Sequence, residues 1–269
     1  MRILWIDPIG TDMFSGDMAR ILAMCKRADT TVDVVCLPDD RPKHLEYHAY
    51  EGLVIGDITR LSYQLNAEYD AIVIGCFYDV GLREAREVSG SAVVTAPCQS
   101  ATAIASNLGN TFSVLVGRRK WIPKMRENIH LYGHGHRLVS MLPLDLGVHD
   151  FQADHDLTCD RLMSVGRKAV EEDGAEVLIL GCTAEYGFNL EMQETLGVPV
   201  IDAVTAPFKY AEFLAETAQR FGWYPSRKWG SEAPPRQEIE AWGLFQQAPP
   251  VGRKFSEEKA PAADLPAQP

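Results

Sequence analysis

Short aliphatic and β-branched runs alternate with stretches of helical period from the first residues to about Phe221. The runs are "RILWI", "TVDVVCL", "AIVIG", "SAVVTA", "TFSVLVG", "HRLVSML", "EVLIL" and "VPVID". Most carry several apolar residues in succession rather than a strict alternation, the pattern of strands covered on both faces. Between them lie helical patterns. One opens at Ser15, a candidate cap, and carries Met18, Ile21, Leu22 and Cys25; another covers Leu53 to Asn66. Strands alternating with helices predict an α/β fold of mainly parallel sheet flanked by helices.

The alternation also repeats itself. "DAIVIGCFYDVGLREAREVSGSAVVTAPCQSATAIAS" runs in parallel with "EVLILGCTAEYGFNLEMQETLGVPVIDAVTAPFKYAEFLAE". Both read strand, Gly-Cys, helix, strand, Thr-Ala-Pro, helix, and "RILWI" pairs with "TFSVLV" ahead of them. Coincident Gly-Cys and Thr-Ala-Pro signals predict two pseudo-symmetric lobes with an active site in the cleft between them, where the carboxyl ends of the strands meet. The expected division is residues 1–104 plus 205–222 for the first lobe and 105–204 for the second. Residues 223–248, with three tryptophans and no clear period, read as an arm on the body or on a neighbouring subunit. Residues 249–269, dominated by proline, alanine and charge, read as a disordered tail.

Composition narrows the function. With 269 residues there is enough chain for two lobes with a real core. The net charge of −11 opposes a phosphate backbone, so no nucleic-acid partner is expected. No apolar run approaches bilayer length, and the first residues lack a secretory pattern, so no membrane is expected and a cytoplasmic setting is. Six cysteines in so long a chain read as reduced thiols rather than a disulfide framework. The expected partner is a small-molecule substrate, with homo-oligomer contacts through the arm. No Gly-x-Gly-x-x-Gly, Walker or Gly-x-Ser-x-Gly pattern is present.

Cys76 and Cys182 each follow a strand and its glycine and precede a helix start. Most cysteines are small buried hydrophobes. A matched pair at strand ends carries chemistry better: free N–H groups there lower a thiol pKa and hold an anionic oxygen. Inverting a carbon stereocentre needs a base on one face and an acid on the other, and two thiols supply both.

The stretches "MRILWIDPIGTDM", "IVIGCFYDVGLREARE", "FSVLVGRRKWIP", "VLILGCTAEYGF", "LGVPVIDAVTAPFKYAE" and "GWYPSRKWG" resemble the aspartate/glutamate/hydantoin racemase superfamily, and within it most nearly the hydantoin racemases. The resemblance implies proton transfer at Cys76 and Cys182 with no cofactor and no metal. It implies that the backbone of Phe77, Tyr78 and Thr183 holds substrate carbonyl or imide groups, and that the loop from Asp7 and Pro8 to Thr11 closes over the pocket. This chain departs from the relatives' common pattern at Asp7-Pro8-Ile9, Val116-Gly117 and Cys98. An acid at position 7 disfavours a free carboxylate substrate, while Asp7 and Asp79 can accept N–H bonds from a ring amide. The substrate expected is a 5-substituted hydantoin or similar cyclic amide. The alternatives are an Asp/Glu-type amino-acid racemase, a maleate-type cis–trans isomerase, or a non-catalytic small-ligand-binding protein. A decarboxylase of this fold keeps one such cysteine.

Other candidates are weaker. Cys98 opens a helix after Pro97 and is placed in the pocket wall. His130, His134 and His136 have loop glycines and no completing ligand nearby. Arg118 or Arg119 is a candidate for steering an anion. Glu185, three residues past Cys182, reads as either a helix cap or a pocket wall.

Overall fold

The computed structural model describes residues 1–256. The chain runs β1 (Arg2–Asp7), α1 (Ser15–Cys25), β2 (Thr31–Cys36), α2 (His48–Leu65), β3 (Ala71–Ile74), α3 (Leu82–Val88), β4 (Val93–Thr95) and α4 (Pro97–Leu108). It then repeats the series: β5 (Phe112–Val116), α5 (Ile122–Leu131), β6 (Leu138–Pro143), α6 (His155–Glu171), β7 (Val177–Leu180), α7 (Asn189–Leu196), β8 (Val200–Ile201) and α8 (Thr205–Phe221). A short α9 (Arg236–Ala241) and β9 (Lys254–Ser256) follow.

The sheets carry the repeat in their topology. One has the order β4-β3-β1-β2-β9 and the other β6-β5-β7-β8. Read from β4 and from β8, the first four strands of each follow the same order, all in parallel. Strand residues alternate faces, so Ile3 and Trp5 join one apolar cluster while Leu4 and Ile6 join another. All four are fully buried, which is why these strands read as unbroken apolar runs.

The last helix of each half crosses over. α8 lies on β3 and β4 of the first sheet, whereas α4 lies on β7 of the second and also touches α8 and α5. The Thr95 hydroxyl donates to Pro207 O at 3.0 Å, joining the two Thr-Ala-Pro segments. Residues 97–104, read from sequence with the first lobe, thus also pack on the second. Ser15 caps nothing: it is the first residue of α1, and its hydroxyl donates to Asp7. α2 begins at His48, a turn ahead of its apolar pattern.

The arm lies on the first half. Gln64 Nε2 donates to Phe245 O and Gln247 O, and Arg227 donates to Arg86 O. Trp223, Trp229 and Trp242 are exposed on the single chain. The expected tail is ordered over its first eight residues. Gly252 N–H donates to Cys36 O, and β9 pairs antiparallel with β2. An open β2 edge is a row of unpaired backbone groups, and the short β9 covers it; "KFS" was masked by the proline- and charge-rich sequence around it. The rest of the tail reading lies outside the described residues. No helix among these is long and apolar enough to cross a membrane.

Candidate active site

The two Gly-Cys turns are built alike. Gly75 N–H donates to Ile6 O and Gly181 N–H to Leu115 O, each at 2.8 Å, extending β3 and β7 by one ladder bond toward their neighbours. Neither glycine has room for a side chain. A Cβ on Gly75 would stand 2.7 Å from the Trp5 indole, and one on Gly181 would stand 2.6 Å from Leu115 O. Close approach, rather than a left-handed backbone, explains why each strand ends on glycine.

Both turns deliver their cysteines to one cavity of about 630 Å³, mouth included. Cys76 and Cys182 line it, with Phe77, Tyr78, Thr183, Asp7 and Pro8. Two residues placed there from sequence lie elsewhere. Thr11 lies past the cavity, in a second hollow lined also by Cys36, Val251, Gly252 and Arg253. Cys98 is fully buried in the first turn of α4 and packs into the core, because the helix start that exposes its N–H turns its thiol inward. Sequence reasoning missed much of the wall: Phe14, Met18, His44, Glu46, Trp121 and Met125 come from loops and helices far apart in the chain. Trp121 is buried, and its indole N–H has no acceptor among the described residues.

The thiols are not held as thiolates in the free cleft. Burial pushes Cys76 up to about 12, against the pull of the Tyr78 N–H. Burial pushes Cys182 up as well, and the Glu185 charge adds to it, against the pull of the Ala184 N–H. This reverses the lowered pKa expected at a helix start: desolvation outweighs one facing N–H group. A charge on Cys76 also raises Cys182, so the two sulfurs share one electrostatic space. The Tyr78 phenol is likewise pushed up, first by burial and then by Cys76, Glu51, Cys182 and Glu46.

Asp7 accepts from Trp5 Nε1 at 2.7 Å and from the Ser15 hydroxyl. Burial raises its carboxyl to about 6 despite these bonds. Asp79 is not offered to a ligand. It sits at φ 51° and accepts from Cys98 N–H at 2.8 Å and Gln99 N–H at 2.9 Å, capping α4. Arg118 is committed to Glu46 at 2.5 Å, and Glu46 also accepts from Val148 N–H at 3.0 Å, binding the halves together at the cavity mouth. Among the described residues, no lysine or arginine lines the cavity. Among the described residues, no group of three or more His, Cys, Asp or Glu is arranged to hold a metal.

Two interlocked parallel α/β halves, with one cleft at the strand ends of both sheets, define the two-lobed racemase architecture. The model of the Asp/Glu/Hydantoin racemase family matches residues 3–211. The chain is 32% identical over 221 residues to the hydantoin racemase of Pseudomonas sp. (strain NS671), covering 82% of this chain and 88% of that one. It is 32% identical over 215 residues to the hydantoin racemase of Rhizobium meliloti, covering 80% and 88%. The allantoin racemase of Klebsiella pneumoniae superposes with a TM-score of 0.78 at 24% identity, over 88% of this chain and 94% of that one. The chain belongs to the Asp/Glu/hydantoin racemase family, and it is an isomerase of the racemase type.

Proposed function

We propose that this protein racemises 5-substituted hydantoins or closely similar cyclic amides by proton transfer between Cys76 and Cys182. One observation carries the reading: the two thiols come from equivalent strand ends of the two sheets and line a single cavity. One, as thiolate, removes the ring C5 proton; the other, as thiol, gives a proton to the opposite face. Each turnover leaves them with exchanged states. The relatives named hydantoin racemase support the substrate class.

The charges of the cavity favour a neutral ring. Its ionisable wall holds Asp7, Glu46, His44, Tyr78 and the two thiols, and among the described residues it has no lysine or arginine to receive a carboxylate. That weighs against an aspartate or glutamate substrate. A hydantoin ring brings carbonyl oxygens for the donors of the wall: the backbone N–H groups after each cysteine and the unpartnered Trp121 indole. It also brings an acidic C5–H, so that a buried thiolate suffices as base without a cofactor.

The test is a panel of single enantiomers of 5-substituted hydantoins, with L-aspartate and L-glutamate, followed by polarimetry and by proton NMR in heavy water. Decay of rotation with C5 deuteration of the hydantoins supports the reading. Racemisation confined to the amino acids overturns the substrate class. Absence of exchange in every member of the panel leaves the small-ligand-binding alternative in its place.

A further inference from the structure

The strand β9 lies beyond residue 211, where the family match ends. It belongs to a strap, residues 249–256, that runs along the outer edge of the first sheet. Cys36 N–H donates to Arg253 O at 3.0 Å, Gly252 N–H donates to Cys36 O at 2.8 Å, and Val34 pairs with Phe255. A Cβ on Gly252 would run into Leu37 O, so the strap lies flush on the end of β2. Covering an exposed edge is one use for such a strand. Yet β6, the corresponding edge of the second sheet, carries no such cover among the described residues. The covered edge is the one that adjoins the β1–α1 loop.

That loop forms part of the cavity wall, through Pro8, Ile9 and Phe14, with Met18 following in α1. The strap reaches it from behind by three routes. Arg253 Nη1 donates to Asp12 Oδ2 at 2.6 Å. The Phe255 ring packs against the apolar cluster that holds Phe14 and Met18, and a Cβ on Gly16 would stand 3.9 Å from it. Leu37, on which Gly252 lies, donates its own N–H to Ile9 O at 2.9 Å. The Arg253 guanidinium stands 5.0 Å from the centre of the Phe255 ring, so the first two routes share one side chain. Residues 8–14 have no helix or strand of their own, and a loop of that kind takes its position from the elements that hold it.

We propose that the strap is the rear brace of the β1–α1 loop and that Arg253 is a positioning residue. By tying Asp12 to β9, Arg253 keeps Ile9, Phe14 and Met18 in place as the wall beside the two cysteines. It acts through the loop and does not meet the substrate. The proposal rests on the reading of this cavity as the active site and not on which ring the cavity takes.

The cysteines of the full-length chain supply a test that needs no substrate. Native protein is alkylated at about pH 8.5 and labelling is followed by peptide mass spectrometry. Cys36 lines the hollow beside the strap and reports its lifting; Cys76 and Cys182 report the cavity wall. G252V should lift the strap, so that Cys36 becomes labelled and Cys76 and Cys182 react about tenfold faster. R253A keeps the backbone pairing and removes only the tie. Cys36 should stay protected while Cys76 and Cys182 react about threefold faster, the modest effect that an exposed ion pair permits. The exchanged pair D12R/R253D should return the rate to that of the unsubstituted chain. Cys76 and Cys182 at the unsubstituted rate in a G252V chain whose Cys36 is labelled would reduce the strap to an edge cover and overturn the proposal. Protection of Cys36 in G252V would overturn the flush contact on which the brace depends. No change in R253A, or no recovery in the exchanged pair, would strike out Arg253. Should G252V fail to fold, R253A and the exchanged pair decide alone. Against a hydantoin, R253A should raise KM about threefold and leave kcat within about twofold. If no hydantoin is racemised and the labelling still follows the strap, the substrate reading falls and the brace stands.

Discussion

The turns at Cys76 and Cys182 share a backbone and differ in what stands behind the sulfur. Each has a ladder-bonded glycine with no room for a Cβ, and each aims the N–H two residues on, Tyr78 or Ala184, at its own thiol. Behind Cys76 the third residue is knotted into the start of α4; behind Cys182 it is a free buried acid. The front of the site keeps the symmetry that a two-faced proton transfer needs. The rear breaks it, so under the proposed two-thiol reading the two sulfurs work from unequal surroundings.

Removing one thiol at a time gives the largest effect. C76S and C182S should each lower racemisation by about three orders of magnitude or more, since a hydroxyl is far less acidic than a thiol. The comparison sharpens in heavy water. Each variant should still exchange the C5 proton of one hydantoin enantiomer and not of its mirror image, with opposite preference in the two. Exchange of both enantiomers by either variant would remove the division of faces between the turns.

The end of β1 offers the next contrast. Asp7 stands one residue past Ile6, as Val116 stands past Leu115 in the second half, so this position is charged on one side only. Its folded pKa of about 6 lies above the unfolded carboxyl value. The folded state therefore binds more protons than the unfolded one between about pH 4 and pH 6, and stability falls as pH rises through that window. At 1.36 kcal/mol per unit the loss is at most about 3 kcal/mol. Asp79, raised to about 7 by burial, extends the decline upward. Denaturant unfolding of D7N across this range should show the Asp7 share of the slope gone and the Asp79 share kept. An unchanged slope would show that Asp7 ionises as readily folded as unfolded.

D79A comes third. It removes the acceptor for two N–H groups of α4 and puts a Cβ-bearing residue without a local acceptor at φ 51°. A lost cap and a left-handed alanine each cost about 1 kcal/mol, so about 2 kcal/mol together. D79N, which tolerates the left-handed region and keeps one acceptor, should recover roughly half of this. E185Q should cost less than D79A, because Glu185 caps no helix and the amide keeps the shape of the buried carboxyl. Equal destabilisation by D79A and E185Q would erase the difference between the two turns.

Much of this was legible in the sequence because the burial of these strands is extreme. "RILWI" and "EVLIL" are apolar on both faces, and Gly-Cys and Thr-Ala-Pro mark the same places in each half. The cavity wall was not legible. Phe14, Trp121 and Glu46 reach one space only through the crossing of the two halves, and no local pattern announces that. Cys98 misled for a physical reason: a helix start exposes its N–H groups, not the side chains of its inner face. Glu185 was visible as an acid beside a thiol, but whether it had a partner depended on its surroundings in three dimensions.

The smallest effect tests whether the turns are coupled directly. Thr183 Oγ1 donates to Gly75 O at 3.3 Å, the hydroxyl of one turn reaching the backbone of the other across the cleft. At that length, and with Thr183 only half-buried, the bond contributes about 0.5 kcal/mol at the low end of the usual range. T183V keeps the branched shape and removes the donor. It should change the melting temperature by about 2 °C or less and slow racemisation about twofold, through looser registry of the two sulfurs. A loss as large as that in C76S would mean that Thr183 touches the reacting ring itself, making the second turn a binding element with no counterpart in the first.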